Sequence, residues 1–256
     1  MSVLDRFRLD GRVALVTGGA RGLGRAMAEA LASAGAAVAV TARSIEAAEA
    51  AAKEITAATG SKAIGIRAEV TSNADVEAMV ARAVETLGGL HVLVNNAGIN
   101  KRGMIESLSE DDFDSVIDAN LKGPWLCCRA VAAIFKTQKW GRVVNVSSML
   151  AEVSIAQRTP YSSSKGGLTL MTKSLALEWA PFGVTVNALC PGFFATEMNQ
   201  VLINDPAINA TLTSKVPLGR WAEPAELGPA IVFLCSEASS YMTGTSLFID
   251  GGYTAQ

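Results

Sequence analysis

Residues 159–167 read TPYSSSKGG, with Tyr161 four positions ahead of Lys165. On a helix those positions share one face, which would set an ammonium beside a phenol. A neighbouring positive charge favours phenolate, lowers the tyrosine pKa and suits Tyr161 to moving protons near neutral pH. A solvated lysine next to a packed tyrosine would show the same spacing, so the rest of the chain must decide.

A second chemical signature lies near the start. Residues 13–35 run from a β-branched stretch through Gly18, Gly22 and Gly24 into an alanine-rich stretch of helical character. Glycines between a strand and a helix let the backbone turn tightly and approach a pyrophosphate at the helix N-terminus. The spacing is GxxxGxG, and it predicts a dinucleotide site. NAD sites usually carry an acid at the tip of the second strand, to bind the ribose hydroxyls. Here that tip reads Thr41-Ala42-Arg43-Ser44, and Glu46 comes only within the following helix. Arg43, together with Arg21 in the glycine turn, would attract a 2′-phosphate, so NADP(H) is expected in preference to NAD(H).

The elements needed to hold these groups recur along the chain. Strand-like runs at 12–19, 36–43, 62–70, 90–98, 141–148, 184–192 and 245–252 are rich in β-branched residues and end in turn or polar residues. Helical stretches at 23–34, 44–58, 73–87, 111–137, 162–180 and 223–236 separate them. Continuous apolar strands alternating with helices imply an α/β, Rossmann-type doubly wound parallel sheet of about seven strands, covered on both faces. With no linker or repeat visible, one domain over 1–256 is expected. The stretch 193–222, with Pro206 and Pro217 and few helix signals, reads as a substrate lid.

Composition excludes other classes. Half the 256 residues are hydrophobic and the formal net charge is −2, without the basic patch that nucleic acid requires. No uncharged apolar run approaches the roughly 20 residues of a membrane span, and charges at Asp5, Arg6 and Arg8 break any signal-peptide pattern. A cytoplasmic protein with no membrane partner is expected. Cys127, Cys128, Cys190 and Cys235 lack metal-ligand spacing and read as reduced core residues. His91, the only histidine, reads as structural, and no metal site is expected.

The motifs together resemble the short-chain dehydrogenase/reductase family over nearly the whole chain. TGGARGLG at 17–24 resembles its cofactor turn, adding Leu23 to the glycines and Arg21. NNAG at 95–98, with Asn96, Ala97 and Gly98, resembles the motif closing the fourth strand near the adenosine. PGFFAT at 191–196 resembles the segment beside the nicotinamide, formed by Pro191, Gly192 and Thr196. Asn120 falls at the family's active-site asparagine. Ser148 precedes Tyr161 by thirteen residues, as the family pattern requires. The resemblance therefore implies a catalytic set of Asn120, Ser148, Tyr161 and Lys165. Tyr161 would exchange a proton with the substrate oxygen, helped by Lys165 and the positive nicotinamide of the oxidised cofactor. Ser148 would orient the carbonyl, with Ser147 a conceivable substitute donor. Lys165 would also hold the nicotinamide ribose, and Asn120 would anchor a water leading from Lys165 to solvent. Ser44, Glu69 and Val70 join the expected cofactor contacts. Two positions depart from the family: Glu69 stands where aspartate is frequent, and His91 replaces an aspartate that makes a local structural hydrogen bond.

For the substrate, the segment between Ser148 and Tyr161 contributes Glu152 and Arg158, and the loop after the fourth strand adds Lys101 and Arg102. These charges suit a keto acid or sugar acid, with arginine pairing a carboxylate. The flanking motifs are similar to those of gluconate 5-dehydrogenases. Phe193, Phe194 and Met198 offer an apolar wall for a wider range of ketones. A 3-oxoacyl-carrier-protein reductase shares every motif and would present Lys101, Arg102 and Arg129 to an acidic carrier. A non-catalytic dinucleotide sensor would bind NADPH without oxidising it. By analogy with the family, a homotetramer is expected, with a dimer as the alternative.

Overall fold

The computed structural model describes residues 2–256; the side chain of Met198, and with it that residue's expected place on the substrate wall, lies outside the described residues. Seven strands form one parallel sheet: β1 (Val13–Val16), β2 (Ala37–Ala42), β3 (Ala63–Arg67), β4 (Val92–Asn95), β5 (Gly141–Val146), β6 (Val184–Pro191) and β7 (Ser246–Ile249). Their order is β3-β2-β1-β4-β5-β6-β7. The order reverses between β1 and β4, and a crevice opens at such a point beyond the carboxyl ends of the strands. The expected doubly wound plan is the observed one.

Among the described residues there are nine α-helices: α1 (Gly22–Ser33), α2 (Ile45–Thr59), α3 (Asn73–Leu87), α4 (Glu110–Ile117), α5 (Gly123–Gln138), α6 (Thr159–Trp179), α7 (Gln200–Asn204), α8 (Pro206–Thr213) and α9 (Gly228–Cys235). Strands β1, β4, β5 and β6 are buried throughout, which is why they are mostly apolar on both faces. Alternation along β1 sends Ala14 and Val16 to a core with Met27, Leu31 and Leu234. Val13 and Leu15 go to the opposite core, with Met79, Phe135 and Trp179.

Two expectations about elements need correction. The stretch 111–137 is not one helix: α4 and α5 are separated by a π-helical turn, Asp118–Lys122. Pro124 explains the break, since it has no N–H to give the carbonyl of Asn120 four residues back. The stretch 193–222, where few helix signals are visible, contains α7 and α8. Asp205 accepts from the N–H groups of Ala207 and Ile208, both at 3.0 Å, and Pro206 occupies the first helical position. That is a strong helix start.

His91 is structural, and it makes local hydrogen bonds of its own where the family has an aspartate. Its main-chain N–H donates to Val13 O at 2.9 Å, and its Nδ1 accepts from Val13 N–H at 3.0 Å. The ring meets Trp140 edge-on at 6.0 Å. Burial, then the charge of Arg12, holds its pKa below the ordinary 6.5. The unfolded chain therefore takes up the proton first as pH falls. His91 supports the fold fully above about pH 6.5 and loses that contribution as pH falls through its lowered folded value. Wild type should lose more melting temperature between pH 7.5 and 5 than His91→Asn, which keeps an acceptor that does not titrate. Parallel profiles would contradict this role.

The four cysteines are free and buried. Burial pushes Cys128 up to about 12 and Cys190 up to about 11. Among the described residues, no three His, Cys, Asp or Glu side chains gather as a metal site, and no helix is long and apolar enough to cross a membrane.

Candidate active site

The glycine turn is welded to β2 and β4 before it reaches α1. Gly19 N–H donates to Thr41 O at 3.0 Å. The Thr17 hydroxyl accepts from the N–H groups of Asn96 (3.0 Å) and Ala97 (3.1 Å). Asn96 Nδ2 in turn donates to the carbonyls of Thr17 (2.9 Å) and Gly18 (3.1 Å). Asn96 thus acts on the turn, and Ala97 and Gly98 follow it along the crevice. Gly18 and Gly22 have φ of 62° and 56°, a region that favours glycine. A Cβ on Gly24 would collide with the Gly18 carbonyl oxygen and Asn96 Nδ2. A Cβ on Gly22 would meet only Thr196 Cγ2, at 4.0 Å. The space beside Gly22, toward Thr196, therefore lies open, with Leu23 in the first turn of α1 and Pro191 and Gly192 preceding Thr196 in the chain. These residues fit a dinucleotide pyrophosphate.

At the tip of β2, Arg43 and Arg21 are not found in any ion pair among the described residues, whereas neighbouring Arg67 is held by Asp75 at 3.2 Å. Ser44 caps α2, accepting from Ala47 N–H at 3.2 Å. Glu69 accepts from Thr71 N–H at 3.4 Å, and Val70 is buried where Gly123 passes close to it.

Asn120 sits in the π turn and is fully buried. Its Oδ1 accepts from Ile99 N–H at 2.8 Å, and its Nδ2 donates to Ile99 O at 2.9 Å and to Ser164 Oγ at 3.1 Å. Ser164 donates to Tyr161 O at 2.7 Å. The side chain thus ties the loop after β4 to the first turns of α6. Sequence reasoning missed Thr17 and Ser164. Thr17 stands directly before the glycines, and Ser164 lies three positions after Tyr161 on the same helix face.

Ser148 follows β5 at the start of a short 3₁₀ turn and accepts from Leu150 N–H at 3.1 Å. Lys165 is buried one turn beyond Tyr161 on α6. Its Nζ lies 5.6 Å from the Tyr161 ring centroid and donates to Val146 O at 2.7 Å. Burial brings its pKa down to about 8, against the influence of Cys190. Tyr161 departs from expectation: burial raises its pKa above the ordinary phenol value. Ser148, Arg158 and Arg102 oppose that rise. Ser147 cannot stand in for Ser148. Its buried hydroxyl donates to Lys165 O at 3.1 Å and meets Thr169 Oγ1 at 3.0 Å.

The charges of Arg102 and Arg158 both act on Tyr161, lowering its pKa against burial. Gly103 N–H donates to Gln157 O at 3.4 Å, pinning the loop of Arg102 to the turn before α6 that carries Arg158. Burial, then the charge of Arg102, lowers the Arg158 pKa, and neither guanidinium makes an ion pair among the described residues. Other expected substrate contacts go elsewhere. Lys101 pairs with Asp112 at 2.9 Å. Arg129 reaches Asn73 at 2.5 Å and Glu77 at 3.9 Å, on the α3 side of α5. Phe194 is 1 % exposed within the core, so its expected place on a substrate wall is corrected. Phe193 packs on Trp221 at 5.2 Å and Tyr253 at 5.5 Å. Glu152 is exposed after the 3₁₀ turn.

A family model described as enoyl-(acyl carrier protein) reductase, of the short-chain dehydrogenase type, matches residues 18–254. The chain belongs to the short-chain dehydrogenase/reductase family. It is thereby an NAD(P)-dependent oxidoreductase acting on CH–OH donors. It is 40% identical to a 3-oxoacyl-[acyl-carrier-protein] reductase of Aquifex aeolicus, over 96% of this chain and 98% of that protein. It is 37% identical to gluconate 5-dehydrogenase of Gluconobacter oxydans, over 99% of each chain. The crystal structure of a gluconate 5-dehydrogenase from Burkholderia cenocepacia, in complex with NADP and tartrate, superposes with a TM-score of 0.95 at 37% identity and covers 100% of both chains.

Proposed function

We propose that this dehydrogenase/reductase interconverts a ketone and a secondary alcohol on a small polar keto acid or sugar acid, with NADP(H) preferred. The observation that carries the substrate class is the pair Arg102 and Arg158. Neither guanidinium makes an ion pair among the described residues, each feels the other's charge or that of Tyr161, and an anion that paired both would relieve that repulsion. The gluconate 5-dehydrogenase neighbour, whose structure holds the hydroxy acid tartrate, supports the same class.

Gly18, Gly22, Gly24 and Thr196 would hold the dinucleotide, with Arg21 and Arg43 toward its 2′-phosphate and Lys165 on the nicotinamide ribose. When bound, that cofactor supplies or accepts the hydride. Ser148 donates to the substrate carbonyl oxygen and fixes its orientation. In reduction Tyr161 gives its phenolic proton to that oxygen, and in oxidation it takes the proton back. A raised phenol pKa keeps this proton in place for reduction. Asn120, whose carbonyl Pro124 cannot serve, anchors the water that returns a proton by way of Lys165.

The segment 193–222 acts as the lid, with α8 latched by Trp221 Nε1 donating to Asn209 Oδ1 at 2.8 Å. A homotetramer is proposed, with a dimer as the smaller alternative, through the exposed Trp125 of α5 and Leu170 and Leu177 of α6. A cytoplasmic setting suits a chain with four buried free thiols.

The 3-oxoacyl-carrier reading is supported by the similarity to the Aquifex aeolicus enzyme, but it needs a basic rim. Lys101 is paired and Arg129 lies beside Asn73 and Glu77, so Arg102 stands without them.

Arg102→Ala and Arg158→Ala should each lower kcat/KM for a carboxylated ketone by about 30-fold, roughly the worth of a charged hydrogen bond. A neutral ketone of similar size should be affected less than about threefold. Equal losses on both substrates would contradict the carboxylate clamp.

A further inference from the structure

The tip of β2 carries an element that works against the two arginines. Ser44 Oγ donates to Glu46 Oε2 at 2.6 Å while accepting from Ala47 N–H at 3.2 Å. A serine hydroxyl has one proton to give, so Ser44 has no donor left for a phosphate. Glu46 lies in the first turn of α2, exposed to solvent. Among the described residues no cation pairs with it: Arg21 and Arg43 make no ion pair, Arg67 is taken by Asp75, and Arg25 is shared between Glu29 and Glu54. The Gly19–Thr41 hydrogen bond fastens the glycine turn to this tip, so two free cations and one free anion border the same end of the crevice.

We infer that the Ser44–Glu46 pair is a cofactor-discriminating element. Glu46 repels a 2′-phosphate and withholds the Ser44 hydroxyl from it, which narrows the advantage of NADP(H) over NAD(H) that Arg21 and Arg43 create. The inference rests on the placement of the adenosine ribose at this tip under the proposed function. It assigns to Glu46 an effect on the 2′-phosphate alone, with none on the ribose hydroxyls.

Calorimetric titration of the full-length chain with NADP+ and with NAD+ tests this without any turnover. Glu46→Gln removes the charge and leaves Ser44 an acceptor, so NADP+ should bind about threefold tighter, the scale of one exposed charge. Glu46→Ala also frees the Ser44 hydroxyl for the phosphate, and the gain should reach about tenfold. NAD+ affinity should be unchanged in both, and the NADP+ gain in Glu46→Gln should shrink in high salt. Unchanged NADP+ affinity in both variants would overturn the inference. Weakened NAD+ binding would also overturn it, by showing that Glu46 holds the ribose hydroxyls. A wild-type chain that binds NAD+ more tightly than NADP+ would contradict the cofactor preference proposed above. The tightening of NADP+ in the variants would still decide the role of Glu46.

Discussion

Tyr161→Phe is expected to lower kcat about a thousandfold, within the span that a positioned acid or base contributes. NADPH affinity should stay within about twofold of wild type, since a single neutral hydroxyl contributes little to net binding. The fold should also hold, because the ring remains and the tie from Ser164 runs to the Tyr161 backbone carbonyl. No neighbour can replace the phenol. Ser147 is turned to α6, Ser148 has a different task, and Lys165 is held by Val146 O. The pH dependence should follow the phenol. Reduction needs it protonated, and the raised pKa keeps it so through neutral pH. Oxidation needs phenolate and should speed up as pH rises. Near wild-type turnover in Tyr161→Phe would remove Tyr161 from the chemistry.

Gly24→Ala is expected to weaken NADP+ binding by at least about 100-fold. The added methyl would run into the Gly18 carbonyl oxygen and into Asn96 Nδ2, the group that donates to that carbonyl. Neither can retreat, because Thr17, Asn96 and Ala97 form one hydrogen-bonded unit. The turn must open, and each backbone N–H lost to a phosphate costs about 1.5–3 kcal/mol. Overpacking of this kind should also cost about 1–3 kcal/mol of stability. Titration and thermal melting of the variant read the two effects separately. Unaltered NADP+ affinity would mean that the pyrophosphate does not lie on this turn.

The doubly wound sheet was legible because buried parallel strands have a plain signature: short apolar runs, each ended by a turn and followed by a helix. Helix ends set by side-chain chemistry were less so. The Asp205-Pro206 start of α8 is hard to read because a proline in an irregular stretch signals loop as readily as helix, although proline at the first helical position is favourable. The break at Asn120 needed the single missing N–H of Pro124, which periodicity averages away. Side-chain direction was the least legible property. Ser147 and Ser148 are adjacent on an extended stretch and face opposite ways, as do Phe193 and Phe194, so one of each pair had to leave the cleft. The convergence of Arg102 and Arg158 depends on a contact between Gly103 and Gln157, residues 54 apart in the chain, which no local pattern records.

The most direct test is NADPH oxidation by the purified chain, with 5-ketogluconate, an acetoacetyl thioester and neutral alkyl and aryl ketones offered in parallel. The proposed function predicts the highest kcat/KM for the keto acid, with NADPH ahead of NADH. Turnover led by the thioester or spread evenly over neutral ketones would contradict the anion clamp of Arg102 and Arg158. Tight NADPH binding with no turnover on any carbonyl would contradict the catalytic assignment itself.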